Sequence, residues 1–119
     1  MLVIRPEQMR TLAEDLRLRS LRAFLRTRFP EEWSAAGDRV SSSVENAAAR
    51  ASAYGFREYQ DVLRYCILTL LIGDCFEDAP NYSWAREILD DRDSPLAGKR
   101  AARLYNTAVR QLREAEESR

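Results

Sequence analysis

Residues 54–73 read YGFREYQDVLRYCILTLLIG, and this stretch decides the fold because it is apolar on more than one face. Tyr59, Val62, Leu63, Cys66, Ile67, Leu70 and Leu71 follow the i, i+3, i+4, i+7 rule of an α-helix, while Tyr65, Leu68 and Ile72 extend the apolar surface around the cylinder. A helix of that kind needs neighbours on several sides. Gly55 before it and Gly73 after it are capping residues, so the spacing predicts a central apolar helix over residues 57–72. Amphipathic segments on either side suffice to cover it. The expectation is an all-α protein, a single compact bundle of about five helices forming one domain over residues 1–119.

Upstream, Leu2, Val3 and Ile4 form a short β-prone lead-in and Pro6 suits the first position of a helix. Met9, Leu12, Ala13 and Leu16 share one face of that first helix, and Leu18, Leu21, Phe24, Leu25 and Phe29 continue it with a slight drift. Its outer face carries Arg17, Arg19, Arg22, Arg26 and Arg28 beside Glu14 and Asp15, the pattern of a solvated face; the last two arginines also suit the negative end of the helix dipole. Pro30-Glu31-Glu32 opens a short second helix with Trp33 docked on it, and Gly37 interrupts that helix. Asp38 is the expected N-cap of a third helix whose stripe, Val40, Val44, Ala47, Ala48 and Ala51, is mostly alanine and so lets a neighbour approach closely. Ser41, Ser42 and Ser43 lack the base or glycine elbow of a nucleophile and belong on the surface.

Downstream, the loop DCFEDAPNYS over residues 74–83 brings Asp74, Glu77 and Asp78 together as oxygen ligands in principle, but lacks the glycine and terminal glutamate of a calcium loop. Phe76, Tyr82 and Trp84 read as anchors pinning this loop to the core, with Pro80 stiffening it. Trp84 to Leu89 form a short helix, a polar loop follows, and Ser94-Pro95 signals the start of a final helix with Ala97, Ala101, Leu104, Tyr105, Ala108 and Leu112 on its buried stripe. Its tail frays from about residue 114.

Chemistry is constrained by what the chain lacks. It has no histidine, which removes the commonest general base and metal ligand. Basic and acidic residues number 19 each, so a basic footprint for nucleic acid is missing; all the basic residues but Lys99 are arginine. The two cysteines, Cys66 and Cys75, match no zinc or redox spacing, and Cys66 belongs to the core. The glycines at 37, 55, 73 and 98 are isolated, so no phosphate-binding loop is present. The longest uncharged apolar run, Tyr65 to Gly73, falls short of the roughly 20 residues that span a bilayer, and no leader peptide is evident, so a cytoplasmic protein is expected. No enzyme, cofactor or metal is expected, and protein binding through exposed helix faces is what remains.

The opening VIRPEQM, the phrase YGFREYQDVLRYCILTLLIGDCFEDAPNYSWAREIL and the downstream SPLAGKRAARLY resemble a group of small helical proteins of Gram-negative bacteria. Their genes commonly sit beside those for PAAR-type spike tips, VgrG or Rhs-type components of the type VI secretion system. The group's recurrent pattern falls here on Tyr54, Gly55, Asp61, Gly73, Phe76, Asp78, Pro80, Tyr82, Trp84, Ala85, Ile88 and Leu89, with departures at Ala79, where the pattern is acidic, and Ser83, where it has proline. The resemblance implies an accessory protein of the secretion apparatus, an adaptor or chaperone that binds an effector or a spike-tip protein before export. An immunity protein that neutralises a cognate toxin by direct binding is the alternative. No catalytic residue is implied; Asp61, on the central helix, is the matched polar position suited to receive a helix N-terminus or an arginine.

Overall fold

The structure is a computed structural model that describes residues 6–91 and 96–117, with side chains from residue 12 onward. The lead-in at Leu2–Ile4, the Ser94-Pro95 start signal and the side chain of Met9 lie outside the described residues. Six α-helices are described: α1 (Pro6–Arg28), α2 (Pro30–Ala36), α3 (Val40–Ala53), α4 (Tyr59–Ile72), α5 (Ser83–Leu89) and α6 (Ala97–Glu117), with 3-10 turns at Gly37–Arg39, Phe76–Asp78 and Pro80–Tyr82. The protein is a small all-α bundle, and α4 is its centre, packed by α1, α2, α3 and α6.

The central helix begins two residues later than the glycine punctuation suggests. Arg57 and Glu58 stay outside it because Glu58 is extended (φ −71, ψ 142) and its carbonyl accepts the N–H groups of Asp61 and Val62, at 3.1 Å each, as the first turn closes. Gly55, at φ +90, ends α3 in a double-bonded turn: its N–H donates to the Ser52 carbonyl (2.9 Å), and the Phe56 N–H reaches back to Ala51 (3.0 Å). That turn folds α4 onto α3 and drives Phe56 into the core, fully buried. Gly73 closes the other end of α4 at φ +140, a conformation that L side chains rarely adopt.

Along α4 the buried residues are Asp61, Val62, Tyr65, Cys66, Ile67, Leu68 and Thr69, with Tyr59, Leu63, Leu70 and Ile72 partly covered. Leu71, expected inward, is 37% exposed, because the helix turns its Tyr65–Leu68–Thr69 side to the deepest part of the core. The alanine stripe of α3 meets α4 as anticipated: Val40, Val44, Ala47 and Ala51 are buried, and the short side chains let the two backbones close up. Asp38 is not the cap of α3. The 3-10 turn at Gly37–Arg39 feeds the helix directly, Arg39 is already helical (φ −80, ψ −13), and no side chain caps the N-terminus.

The first helix departs furthest from expectation. Leu21 and Leu25 are completely buried, but Leu12 and Leu16 are each 52% exposed. Length is the reason: α1 has 23 residues and spans about 34 Å, whereas the 14 residues of α3 and α4 span about 21 Å, so the N-terminal half of α1 outruns its neighbours. At the far end, α6 keeps helical structure through Glu117, past the point near Glu114 where fraying is expected, with Ala101, Leu104 and Ala108 as its buried stripe. The result is elongated, 62 × 38 × 20 Å. Among the described residues, no helix is long and apolar enough to cross a membrane.

Candidate functional site

The polar centre of the molecule forms where the acidic loop folds back on α3 and α4. After Gly73 the chain passes through Cys75 in the left-handed region (φ 54), and the 3-10 turn that follows points both Phe76 and Glu77 inward, each 2% exposed. The Glu77 carboxylate is met from several sides. The Arg50 guanidinium donates to Oε1 through Nε at 3.0 Å and also through Nη2, while the Tyr65 hydroxyl lies 2.8 Å from Oε1 and 2.9 Å from Oε2. The Tyr54 hydroxyl approaches Oε1 at 3.3 Å, and the rings of Tyr54, Tyr65 and Phe76 pack in series, with centroids 6.0 and 5.5 Å apart.

A second ion pair extends the cluster to the surface. Asp78 accepts from Arg86 and, at 3.3 Å, from Arg50; Arg86 also donates to the Tyr54 hydroxyl at 3.2 Å and pairs with Asp90 one turn on, at 3.7 Å. Ion pairs thereby tie the loop to α3 and α5, and the hydrogen bonds of the Tyr65 hydroxyl tie it to α4. Burial alone raises the pKa of Glu77, but hydrogen bonds from Arg50, from its own backbone and from Tyr65 outweigh that effect and hold the carboxyl below its ordinary range. Burial pushes the Tyr65 hydroxyl well above the usual phenol value, so it stays protonated and donating. Hydrogen bonds to Glu77 and Tyr65 raise Arg50 further. A carboxylate kept ionised, with both oxygens occupied, is arranged to hold charge in place.

This arrangement also settles the loop carboxylates. Asp74 accepts from the Ser43 hydroxyl at 2.7 Å, Glu77 turns inward to Arg50, and Asp78 faces Arg86, so the three do not converge. Among the described residues no group of three or more His, Cys, Asp or Glu side chains is placed to hold a metal ion. The expected anchors do pack on the core: Phe76 is buried against Tyr65, and Tyr82 and Trp84 are partly buried and meet each other edge to face at 6.2 Å.

Asp61 sits where both of its suggested partners are. Its side chain is 8% exposed; Arg64 Nη1 lies 3.5 Å from Oδ1, and Oδ2 lies beneath the first turn of α6, where a Cβ built on Gly98 would come within 3.5 Å of it. A carboxylate under a helix N-terminus is favoured by the peptide dipoles. Next to it, Arg100 latches the start of α6 to two other chain turns, donating to the Tyr54 carbonyl at 2.7 Å and the Leu89 carbonyl at 2.9 Å, with its guanidinium 5.5 Å over the Phe56 ring.

Arg50, Arg86 and Arg100 are the residues that sequence reasoning passed over. One signal for Arg50 was present: the positions three and four residues to either side are Ala47, Asn46, Ala53 and Tyr54, so no acidic neighbour on its own helix can pair with it and its partner has to be remote. On the surface, a groove of about 410 Å³ lies between α1 and α3, floored by Leu18, Ala48 and Val62 and edged by Glu14, Arg17 and Glu45; the exposed Leu12 and Leu16 stand on a different face of α1.

Neither a protein family, nor a curated protein, nor a solved structure matches this chain.

Proposed function

We propose that the protein is a non-enzymatic adaptor or chaperone that holds another protein and, following the resemblance of its sequence, that the client is an effector or spike-tip protein of a type VI secretion system. The observation that carries the reading is the pair Leu12 and Leu16, both 52% exposed on a helix that projects past its neighbours. Two leucines on adjacent turns are the spacing by which one amphipathic helix takes another. A client helix laid along them covers apolar surface that the protein leaves in water. Release needs only that the client find a stronger partner at the secretion machinery.

The test is co-purification of the tagged protein from its native host, with partners identified by mass spectrometry, alongside the variant Leu12→Glu/Leu16→Glu. A spike-tip or effector protein held in stable ratio by the wild type and lost by the variant is the expected result. Absence of any stable protein partner ends the proposal. If the captured protein is a toxin and the chain protects cells expressing the toxin domain alone, the immunity reading replaces the adaptor; if it is needed for export instead, the adaptor stands.

A further inference from the structure

A second groove, of about 400 Å³, lies on the other side of α1, bounded by Leu18, Arg19, Arg22, Ala23, Arg26 and Trp33, with Asp15 and Ser41 at its rim. Its arginines are short of partners. Arg22 Nε is buried without a hydrogen bond; its Nη2 reaches the Ser41 carbonyl only at 3.4 Å and Glu45, itself 66% exposed, only at 3.8 Å. Arg19 and Arg26 are exposed and, within the described residues, face no carboxylate at ion-pair distance. Of the rest of the lining, Leu18, Ala23 and the half-buried Trp33 are apolar, and Asp15 and Ser41 are polar.

We infer that this groove seats an acidic amphipathic helix of the client protein, an inference that rests on the protein-binding reading above. Arg19, Arg22 and Arg26 stand at i, i+3 and i+7, so their guanidinium groups project along one line over about 10 Å of helix. Carboxylates spaced by the same rule on a partner helix present the same line, and an arginine fork donates two parallel hydrogen bonds to a carboxylate. The apolar floor and Trp33 ask for leucine-like side chains between those carboxylates, and a tryptophan beside arginines is the usual composition of an energetic anchor. Nucleic acid fits less well, because the chain as a whole has no net positive charge.

The test uses the full chain carrying Trp84→Phe, so that emission reports on Trp33. It is titrated with a short helix-forming peptide bearing glutamates at i, i+3 and i+7 between leucines, with the same peptide carrying glutamine for glutamate, and with a single-stranded DNA oligonucleotide. Expected are a shift of Trp33 emission with the glutamate peptide, an affinity lower by about tenfold or more in Arg19→Glu/Arg26→Glu, and recovery in that variant when the peptide's glutamates become lysines. Both positions are exposed, and circular dichroism checks that the fold is kept. Equal binding of the glutamine peptide, an unchanged affinity in the charge-reversed variant, or tighter binding of the oligonucleotide overturns the inference. Failure here is separable from failure of the adaptor reading. A client captured by the wild type and by Arg19→Glu/Arg26→Glu alike removes the groove and leaves protein binding intact, whereas the peptide titration gives its answer without any client.

Discussion

Arg50 on α3 and Glu77 in the loop after α4, separated by 27 residues of sequence, meet through two hydrogen bonds from one guanidinium to a single carboxylate oxygen, and Glu77 is the side chain that water does not reach. The asymmetry of exposure, 35% for the Arg50 side chain against 0% for Glu77, determines how the pair fails. Arg50→Ala strands a buried carboxylate, and a cost of about 3 kcal/mol is expected, the lower end of the range for breaking such pairs because solvent reaches one face of the arginine. Glu77→Gln leaves Arg50 able to turn to water and keeps a hydrogen-bonding group for Tyr65, so about 1–2 kcal/mol is expected. Urea denaturation of both variants checks the order; equal costs would contradict the account.

The same carboxylate sets a pH dependence. Glu77 has a lowered pKa in the folded protein, so its contribution is complete above the ordinary carboxyl value of 4.5 and is lost as the pH falls through the lower folded value. The stability gap between wild type and Glu77→Gln is therefore widest near neutrality and narrows in acid. Denaturant titrations at a series of pH values read this directly, and a gap independent of pH would contradict it.

The two thiols differ in reach. Cys66 is 2% exposed, and burial pushes its pKa up to about 12, while Cys75 is only half-buried. A disulfide reagent at mildly alkaline pH modifies Cys75 in the native protein and Cys66 only after denaturant is added. Cys75 also holds a left-handed backbone at φ 54, so Cys75→Gly trades relief of about 1–2 kcal/mol of steric strain against the greater freedom of glycine in the unfolded chain, and a net gain below about 1 kcal/mol is expected in the same denaturation assay.

Gly55 and Arg100 are coupled. A Cβ at Gly55 would lie 3.3 Å from Arg100 Nη2, the atom that donates to the Tyr54 carbonyl, and φ is +90 there. Gly55→Ala is expected to cost more than the backbone strain alone, about 1–2 kcal/mol, because it also displaces the latch. In a double-mutant cycle with Arg100→Ala the two losses overlap, so the double variant is less destabilised than their sum. Simple additivity would show that the arginine moves aside without loss.

Leu12 and Leu16 separate binding from folding. Leu12→Glu/Leu16→Glu changes stability by no more than about 0.5 kcal/mol per site, as surface substitutions do, whereas Leu21→Ala on the same helix costs about 2–5 kcal/mol. Thermal melts of the three proteins give the comparison. Strong destabilisation by the glutamates would mean that the two leucines are covered in the isolated protein.

The contrast within α1 marks the limit of what the sequence can convey. Periodicity in residues 54–73 and the glycines at its ends were enough to place α4, and the alanine stripe was enough to place α3 against it, because those inferences depend on local pattern. Leu12 and Leu21 belong to the same kind of pattern, yet one is half in water and the other is sealed; which applies depends on how far neighbouring helices extend, and a pattern on one helix does not contain the length of the next. Leu71 faces solvent for a related reason, since an all-round apolar helix does not say which side lies deepest. The Glu77 cluster was hidden for another reason. A loop spelled DCFED reads as solvated acid until the backbone at Cys75 turns it inward, and the partner that makes burial tolerable comes from α3. Asp61 was legible as a carboxylate awaiting a helix terminus or an arginine, and both are beside it.

The Arg100 latch has a consequence for how the protein comes into being. Chain order places α6 last among the described helices, yet it is α6 that lies over Asp61 and sets a guanidinium against Phe56. While the polypeptide is still emerging from the ribosome, α3 and α4 can pair through their short turn, but the flank of that hairpin stays bare until the final helix is synthesised. The nascent chain thus carries its own open seam for a time, and translation itself, by delivering Arg100, closes it.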